Sequence, residues 1–152
     1  MRKRATPSFV FIAPLVLLIM LSVYIRATYT PEPVLLQIDM ARTFSAGEDG
    51  ALILDATLRL ANNAEEFVEL SANGECQILR WYIVDSSDQI IQSQRTPVCE
   101  PNEVLESIDA ESALVYSTRF ALDPSRFALG ERYFLRVRFW GYEAQERFTV
   151  SD

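Results

Sequence analysis

Histidine is absent from the 152-residue chain, and lysine occurs once, as Lys3. A serine–histidine–aspartate or cysteine–histidine site requires an imidazole, and a serine–lysine site requires a lysine beside the serine. Zinc, copper and non-haem iron sites depend on histidine or on several free thiolates, whereas this chain has only two cysteines. The sequence therefore predicts no catalytic, cofactor-binding or metal-binding residue.

Carboxylates are the one plentiful class of reactive side chain, with 21 Asp and Glu residues. A pair of acids of the glycosidase type stays open for that reason. No spacing singles out such a pair, and a domain of roughly 120 residues with short connections leaves little chain for a substrate cleft. The sequence favours a protein that is not an enzyme, with a carboxylate-dependent hydrolase of envelope glycan as an alternative.

The chain has one long apolar run, residues 9–25, which carries no charge and follows a basic start at residues 2–4. A helix of this length reaches about 26 Å, enough for a thin bilayer. Basic residues in front of such a run keep the N-terminus in the cytoplasm. We predict a cytoplasmic N-terminus (1–8), a transmembrane anchor helix (9–25) and a proline-containing spacer (26–33) in front of an exported domain.

A cleaved signal peptide would share the basic start and the apolar middle, but it needs small residues at the cleavage site. Tyr24, Ile25 and Arg26 occupy that position here. Aromatic and arginine side chains suit the membrane interface, so a retained anchor is favoured over a cleaved, soluble exported protein. The prediction is a single-pass protein of the cell inner membrane with a periplasmic or extracellular C-terminal domain.

All 21 acidic residues follow the apolar run, whereas three of the 14 basic residues precede it. The exported part is therefore strongly acidic, which favours solubility and predicts no binding to nucleic acid or anionic lipid. Cys76 and Cys99 both lie in this part, and two lone cysteines in an oxidising compartment usually pair. They predict a structural disulfide; a redox-active pair would need a C-x-x-C spacing and a basic neighbour.

From residue 34 onward apolar and polar residues alternate, which is the period of a β-strand and not of a helix. Turn residues such as Asn62 and Asn63 separate the alternating segments. The sequence predicts an all-β, antiparallel, immunoglobulin-like β-sandwich of seven to eight strands over residues 34–152, preceded by the one N-terminal transmembrane helix. The predicted strands cover residues 36–40, 52–60, 67–70, 79–84, 89–94, 114–120, 133–140 and 147–150.

Tyr133 begins a predicted strand just after the turn at Gly130. A tyrosine corner has this arrangement, with the hydroxyl group bonded to backbone a few residues upstream. The alternative is an ordinary core tyrosine whose hydroxyl reaches water. Trp81, on the apolar parity of residues 79–84, is predicted to belong to the core.

Several weak turn motifs occur in a characteristic order: LRLANN at 58–63, SANG at 71–74, EPNE at 100–103 and LGERYFLRVRF at 129–139. Over residues 34–150 this order resembles the intracellular proteinase inhibitor (BsuPI) family, a small immunoglobulin-like β-sandwich. The resemblance implies that fold and, as an alternative function, protease inhibition. Asn102 stands where the family tends to have glycine, and the anchor and disulfide depart from a cytoplasmic inhibitor. No inhibitory residue carries over.

The outward row of the strand at 133–140 is the best candidate for a binding surface. Aromatic and arginine side chains alternate there, and these residue types dominate protein interfaces. The alternative is that the arginines pair with cross-strand acids and the aromatics are covered. The favoured function is a non-enzymatic, membrane-anchored protein-interaction module, such as an accessory or assembly subunit of an envelope complex. The candidate partner-binding residues are Phe134, Arg136, Arg138, Trp140 and Tyr142.

Overall fold

The computed structural model describes residues 20, 32–45, 51–95 and 98–151. The predicted cytoplasmic N-terminus, nearly all of the predicted anchor helix and most of the predicted spacer lie outside these residues. No helix among the described residues is both long and apolar enough to cross a membrane.

The described residues contain ten strands in three sheets, and two short 3-10 helices at Glu75–Gln77 and Pro124–Arg126. The strands are β1 (Val34–Met40), β2 (Thr43–Ser45), β3 (Leu52–Asn62), β4 (Val68–Asn73), β5 (Leu79–Asp85), β6 (Ile90–Ser93), β7 (Glu103–Ile108), β8 (Ala113–Leu122), β9 (Arg132–Phe139) and β10 (Tyr142–Ser151).

The sheets have the strand orders β1-β3-β8, β2-β10-β9-β5-β6 and β4-β7. The pairing of β2 with β10 is parallel, and the other pairings are antiparallel. The all-β prediction is confirmed. Strands β2 and β7 were not predicted: β2 is only three residues long, and β7 is mostly exposed and lacks a clear alternation of buried and exposed residues.

The core lies between the three-stranded and five-stranded sheets. Alternate residues of β3, from Leu52 to Leu60, are buried and pack in one cluster with Leu135, Val137 and Phe148 of the five-stranded sheet. Strand β3 thus contributes one apolar face, as the period of two requires. The result is a β-sandwich-like domain, and residues 33–152 form a compact unit of their own.

Asn62, at the end of β3, is the buried polar residue of this core, with 1 % of its surface exposed. Its Nδ2 donates to the carbonyl oxygens of Glu66 (2.8 Å), Ile108 (3.1 Å) and Asp109 (3.0 Å). Its Oδ1 accepts from the backbone N–H of Ala64 at 3.0 Å. The side chain expected to form a turn therefore also ties that turn to the end of β7.

The predicted disulfide is confirmed: Cys76 in the first 3-10 helix is bonded to Cys99 in the connection between β6 and β7, with Cα atoms 5.9 Å apart. Gly74 packs against this bridge with a φ of 116°. A Cβ atom there would lie 2.9 Å from Cys99 Sγ and 3.1 Å from the Glu100 carbonyl oxygen. Only glycine fits this position without a shift.

The hydroxyl group of Tyr133 accepts a hydrogen bond from the backbone N–H of Ala128 at 2.8 Å. The predicted bond back to the chain upstream of the strand is thereby confirmed. Its ring packs against those of Phe127 (centroids 4.9 Å apart) and Phe148 (5.8 Å), so the contact fixes the turn onto the core. Trp81 is half-buried and packs against Phe120, with ring centroids 5.2 Å apart.

Candidate protein-binding groove

A groove of about 640 Å³ lies on the five-stranded sheet. It extends across four neighbouring strands, from β10 over β9 and β5 to β6 and the residues that follow it. The polar side chains that line it belong to Arg80, Tyr82, Ser93, Gln94, Arg136, Arg138, Glu143 and Gln145.

Two rows of outward side chains cross the strands in this groove. The first, which we call the arginine row, consists of Glu143 on β10, Arg138 on β9 and Arg80 on β5, placed opposite one another by the strand register. The second, the tyrosine row, has Gln145, Arg136, Tyr82 and Ser93 in the same order. The antiparallel ladder fixes both rows, because residues opposite each other share a face of the sheet.

In the tyrosine row, the guanidinium group of Arg136 has several partners. Its Nε donates to Gln145 Oε1 at 3.1 Å, its Nη2 donates to the carboxylate of Asp88, and its Cζ lies 5.9 Å from the centroid of the Tyr82 ring. The pKa of Arg136 is raised above its ordinary value, chiefly by the Tyr82 hydroxyl and next by the charge of Asp88. Counted together with Asp88, which lies in a turn outside the row, the tyrosine row is therefore close to neutral.

The arginine row has an excess of positive charge. Arg80 and Arg138 lie directly opposite each other, an arrangement that is unfavourable for like charges. Arg138 has one acid nearby, with its Nε 4.0 Å from Glu143 Oε1, and both side chains are more than half exposed. Within the described ranges, no carboxylate lies within salt-bridge distance of Arg80.

Of the five predicted binding residues, Arg136 and Arg138 line the groove. Phe134 lies on the same outward face of β9, but it is half-buried and does not line the groove. The alternative prediction was that the arginines pair with acids on the neighbouring strand. Arg138 does so with Glu143, whereas Arg136 pairs with Asp88 in a turn.

The prediction that Trp140 and Tyr142 point outward together with Arg136 and Arg138 is wrong. Trp140 is 9 % exposed and belongs to the core, and its backbone N–H donates to the Ile78 carbonyl at 2.8 Å. It forms a two-residue turn with Gly141, with φ angles of 51° and 88°. Such a turn reverses the chain at once, so Tyr142 lies opposite Phe139 on the core side of the sheet.

Sequence reasoning missed the role of Arg80 and Tyr82. The alternation in residues 79–84 does direct both side chains outward, but it cannot show that β5 lies beside β9. The missing signal is the strand pairing itself, which joins residues far apart in the sequence. Within the described part of the chain, no three Cys, Asp or Glu side chains are arranged to hold a metal ion.

Comparison with models of protein families gives no match, and comparison with curated proteins gives none either. Among solved structures, a DNA-bound alkylpurine DNA glycosylase, AlkC from Pseudomonas fluorescens, is 12% identical with a TM-score of 0.45, covering 79% of this chain and 31% of that one. Spo0M, a sporulation control protein from Bacillus subtilis, is 9% identical (TM-score 0.44, 80% and 51% covered). A FixG-related protein from Vibrio parahaemolyticus is 12% identical (TM-score 0.41, 79% and 98% covered). Similarities this weak carry no argument about function.

Proposed function

We propose that this chain is a membrane-anchored protein-interaction module whose exported domain binds another envelope protein through the groove. The observation that carries the proposal is the pair of cross-strand rows, which presents three arginines and a tyrosine around one concavity. Arginine and tyrosine are enriched among the residues that dominate binding energy at protein interfaces. An accessory or assembly subunit of an envelope complex would need such a surface and no catalytic group.

The groove is built on paired strands and not on loops. Hydrogen-bonded strands fix the backbone positions from which these side chains project, so little backbone freedom is lost when a partner binds. Arg136 is further held by Gln145 and Asp88, which keeps the floor of the groove in place. A preorganised surface of this kind favours recognition of a specific partner.

The proposed location is the cell inner membrane, with residues 9–25 as a single-pass anchor, the N-terminus in the cytoplasm and the domain in the periplasm or outside the cell. The bond between Cys76 and Cys99 supports an oxidising compartment for the domain, because structural disulfides form and persist there. The immunoglobulin-like version of the sandwich is likewise proposed. Its support is the bond from the Ala128 N–H to the Tyr133 hydroxyl.

Protease inhibition, implied by the resemblance to the intracellular proteinase inhibitor family, stays a prediction that no feature of the groove favours. The same holds for a carboxylate-dependent glycan hydrolase, because Glu143 is the only acid lining the groove in the described part of the chain. A hydrolase of that type uses two carboxyl groups on opposite sides of the bond to be cleaved.

Photo-crosslinking from two serine positions tests the proposal on the full-length protein in its own membrane. Ser93 lines the groove and is exposed, whereas Ser117 is exposed on the outward face of β8 in the other sheet. A photoreactive residue at position 93 should crosslink to one defined envelope protein, and the same residue at position 117 should not. Equal crosslinking from both positions, or none from position 93, would refute the proposal.

A version truncated before Pro31 shows which part of the chain recognises the partner. If the domain alone binds the purified, crosslinked protein as tightly as the full-length chain, the groove is sufficient. If binding requires residues 1–30, the predicted helix makes contacts of its own and the groove is secondary.

A further inference from the structure

We infer that the groove binds an acidic, extended segment of the partner, with one carboxylate of that segment between Arg80 and Arg138. This inference rests on the proposed function and specifies the chemistry of the partner. The charge of the arginine row, an unpaired acceptor at the groove and the dimensions of the sheet support it.

The arginine row lacks a negative charge. Arg80 and Arg138 lie opposite each other in the strand register, and Glu143 is the one acid in their row, at the far side of Arg138. A carboxylate placed between Arg80 and Arg138 would remove their mutual repulsion and accept hydrogen bonds from both. Arginine suits this role because its planar group matches the two oxygens of a carboxylate.

The tyrosine row does not compete for this carboxylate. Arg136 already donates to Gln145 and Asp88, and it packs near the Tyr82 ring. An incoming acid would have to displace these contacts to gain a bond there. The bound carboxylate is therefore expected at Arg80 and Arg138 and not at Arg136. Because the two rows differ in this way, the segment should bind in one orientation.

Gln94 points to a polypeptide as the occupant. Its side-chain Oε1 is buried and has no hydrogen-bond partner in the described part of the chain, and the residue lines the groove. A rotation of this side chain toward the groove would present the acceptor to a donor, which the backbone N–H of a peptide supplies. A phosphate or an anionic lipid headgroup would satisfy the arginines but brings mainly acceptors, so it leaves Gln94 unsatisfied.

The groove also has the length of a short extended segment. It crosses four strands, and neighbouring strands lie about 4.8 Å apart, so it measures about 14 Å. An extended chain advances about 3.3 Å per residue, so about four residues fit. With side chains alternating in direction, every second residue of the segment would point toward the sheet.

Two long segments outside the groove carry no basic residue that would attract an acidic segment. The chain has a formal net charge of −7, and residues 60–79 and 96–118, which include β4 and β7, contain no arginine or lysine. Like charges outside the groove would discourage wrong positions and steer the segment to the arginine row. The same net charge opposes association between two copies of this chain.

The test uses a short fluorescent peptide of alternating glutamate and threonine, a second peptide with glutamine in place of glutamate, and full-length protein in detergent. Fluorescence anisotropy should show about tenfold tighter binding of the glutamate peptide, and added salt should reduce the difference. The double variant R80Q/R138Q should lose this preference. The matched control R59Q, an exposed arginine on β3 of the other sheet, should keep it.

A further variant separates the two contacts. Q94M removes the buried acceptor while keeping a side chain of similar size, and it should weaken both peptides by a similar factor. Arg80 and Arg138 are exposed, so the thermal midpoint of R80Q/R138Q should match that of the parent. If the double variant has a lower thermal midpoint, the single variant R138Q is measured instead. It should show part of the loss in binding of the glutamate peptide.

Equal binding of the two peptides, or an equal loss in R59Q, would overturn the inference. So would binding of inorganic phosphate or of anionic lipid vesicles with the same arginine dependence and no binding of the glutamate peptide. Crosslinks from position 93 to a second copy of this chain would also overturn it. If R80Q/R138Q still crosslinks to the envelope partner, the acidic segment is wrong while the proposed function stands; absence of that crosslink in the parent protein refutes the proposed function.

Discussion

Replacement of Asn62 by alanine should destabilise the domain severely. The side chain is buried, and it joins three carbonyl oxygens and one backbone N–H from the β3 end, the following turn and the β7 end. Alanine would leave all four groups without this partner, and the Ile108 carbonyl among them is buried. The loss therefore combines missing hydrogen bonds with unsatisfied polar groups.

The magnitude follows from the number of bonds that an amide can make. The Nδ2 group has two hydrogens for three carbonyls, so it counts as two donated bonds, and Oδ1 adds one accepted bond. At about 1 kcal/mol each, Asn62→Ala should cost about 3 kcal/mol. A domain with about 5–15 kcal/mol of stability would lose a large share of it.

Urea unfolding of residues 31–152, followed by tryptophan fluorescence, measures this loss. With a slope of about 1.5 kcal/mol/M, the midpoint for Asn62→Ala should fall by about 2 M. The neighbouring Asn63 is the matched control, because its side chain is exposed and its backbone N–H still donates to the Pro33 carbonyl after substitution. Asn63→Ala should change the free energy of unfolding by less than about 0.5 kcal/mol.

Asn62→Asp tests the direction of the bonds. A carboxylate at this position faces three carbonyl oxygens, whereas a protonated acid can still donate to one of them, so the variant should be less destabilised at acidic pH than at neutral pH. Asn63→Asp should show no such trend. If Asn62→Ala and Asn63→Ala unfolded at the same urea concentration, the proposed role of the Asn62 side chain would be wrong.

Further predictions concern the bridge, the tyrosine hydroxyl and one turn. Replacing Cys76 and Cys99 by serine should cost about 3 kcal/mol in urea unfolding, because the bridge closes a loop with a sequence separation of 23; an unchanged midpoint would contradict this. Tyr133→Phe should cost about 1 kcal/mol through the lost bond to the Ala128 N–H, whereas Tyr116→Phe, on an exposed ring, should cost much less. The pKa of Asp85 is lowered, chiefly by a hydrogen bond from the serine hydroxyl two residues on, so its titration by NMR should have a midpoint below that of a free aspartate. The stability contributed by these bonds is present above the ordinary pKa and is lost as the pH falls through the lowered one; a midpoint at or above the ordinary pKa would contradict the hydrogen-bonding role.

The sequence predicted those features that depend on local alternation. The buried row of β3 and the inward residues Tyr133, Leu135, Val137 and Phe139 of β9 follow directly from a period of two. The pairing of the two cysteines followed from their number and from the inferred compartment. These features require no knowledge of which strands are neighbours.

Features that depend on turn geometry or on long-range pairing were not predicted. The alternation along β9 predicts outward side chains at Trp140 and Tyr142, but a turn with two positive φ angles reverses the chain there and directs both rings toward the core. Arg80 became part of the groove only because β5 lies beside β9. Neither fact leaves a mark in the local pattern of apolar and polar residues.

The position of the first strand after the predicted anchor has a consequence for how the domain would carry mechanical force. Strand β1 lies at the edge of the three-stranded sheet and pairs with β3 over seven consecutive residues, while the groove lies on the other sheet of the core. If residues 9–25 hold the chain in the membrane, tension between the membrane and a bound partner passes through this ladder and the packed layer behind it. A pull along β1 loads its hydrogen bonds together and not one by one. The sandwich would then act as a stiff coupling that resists extension while the partner stays bound.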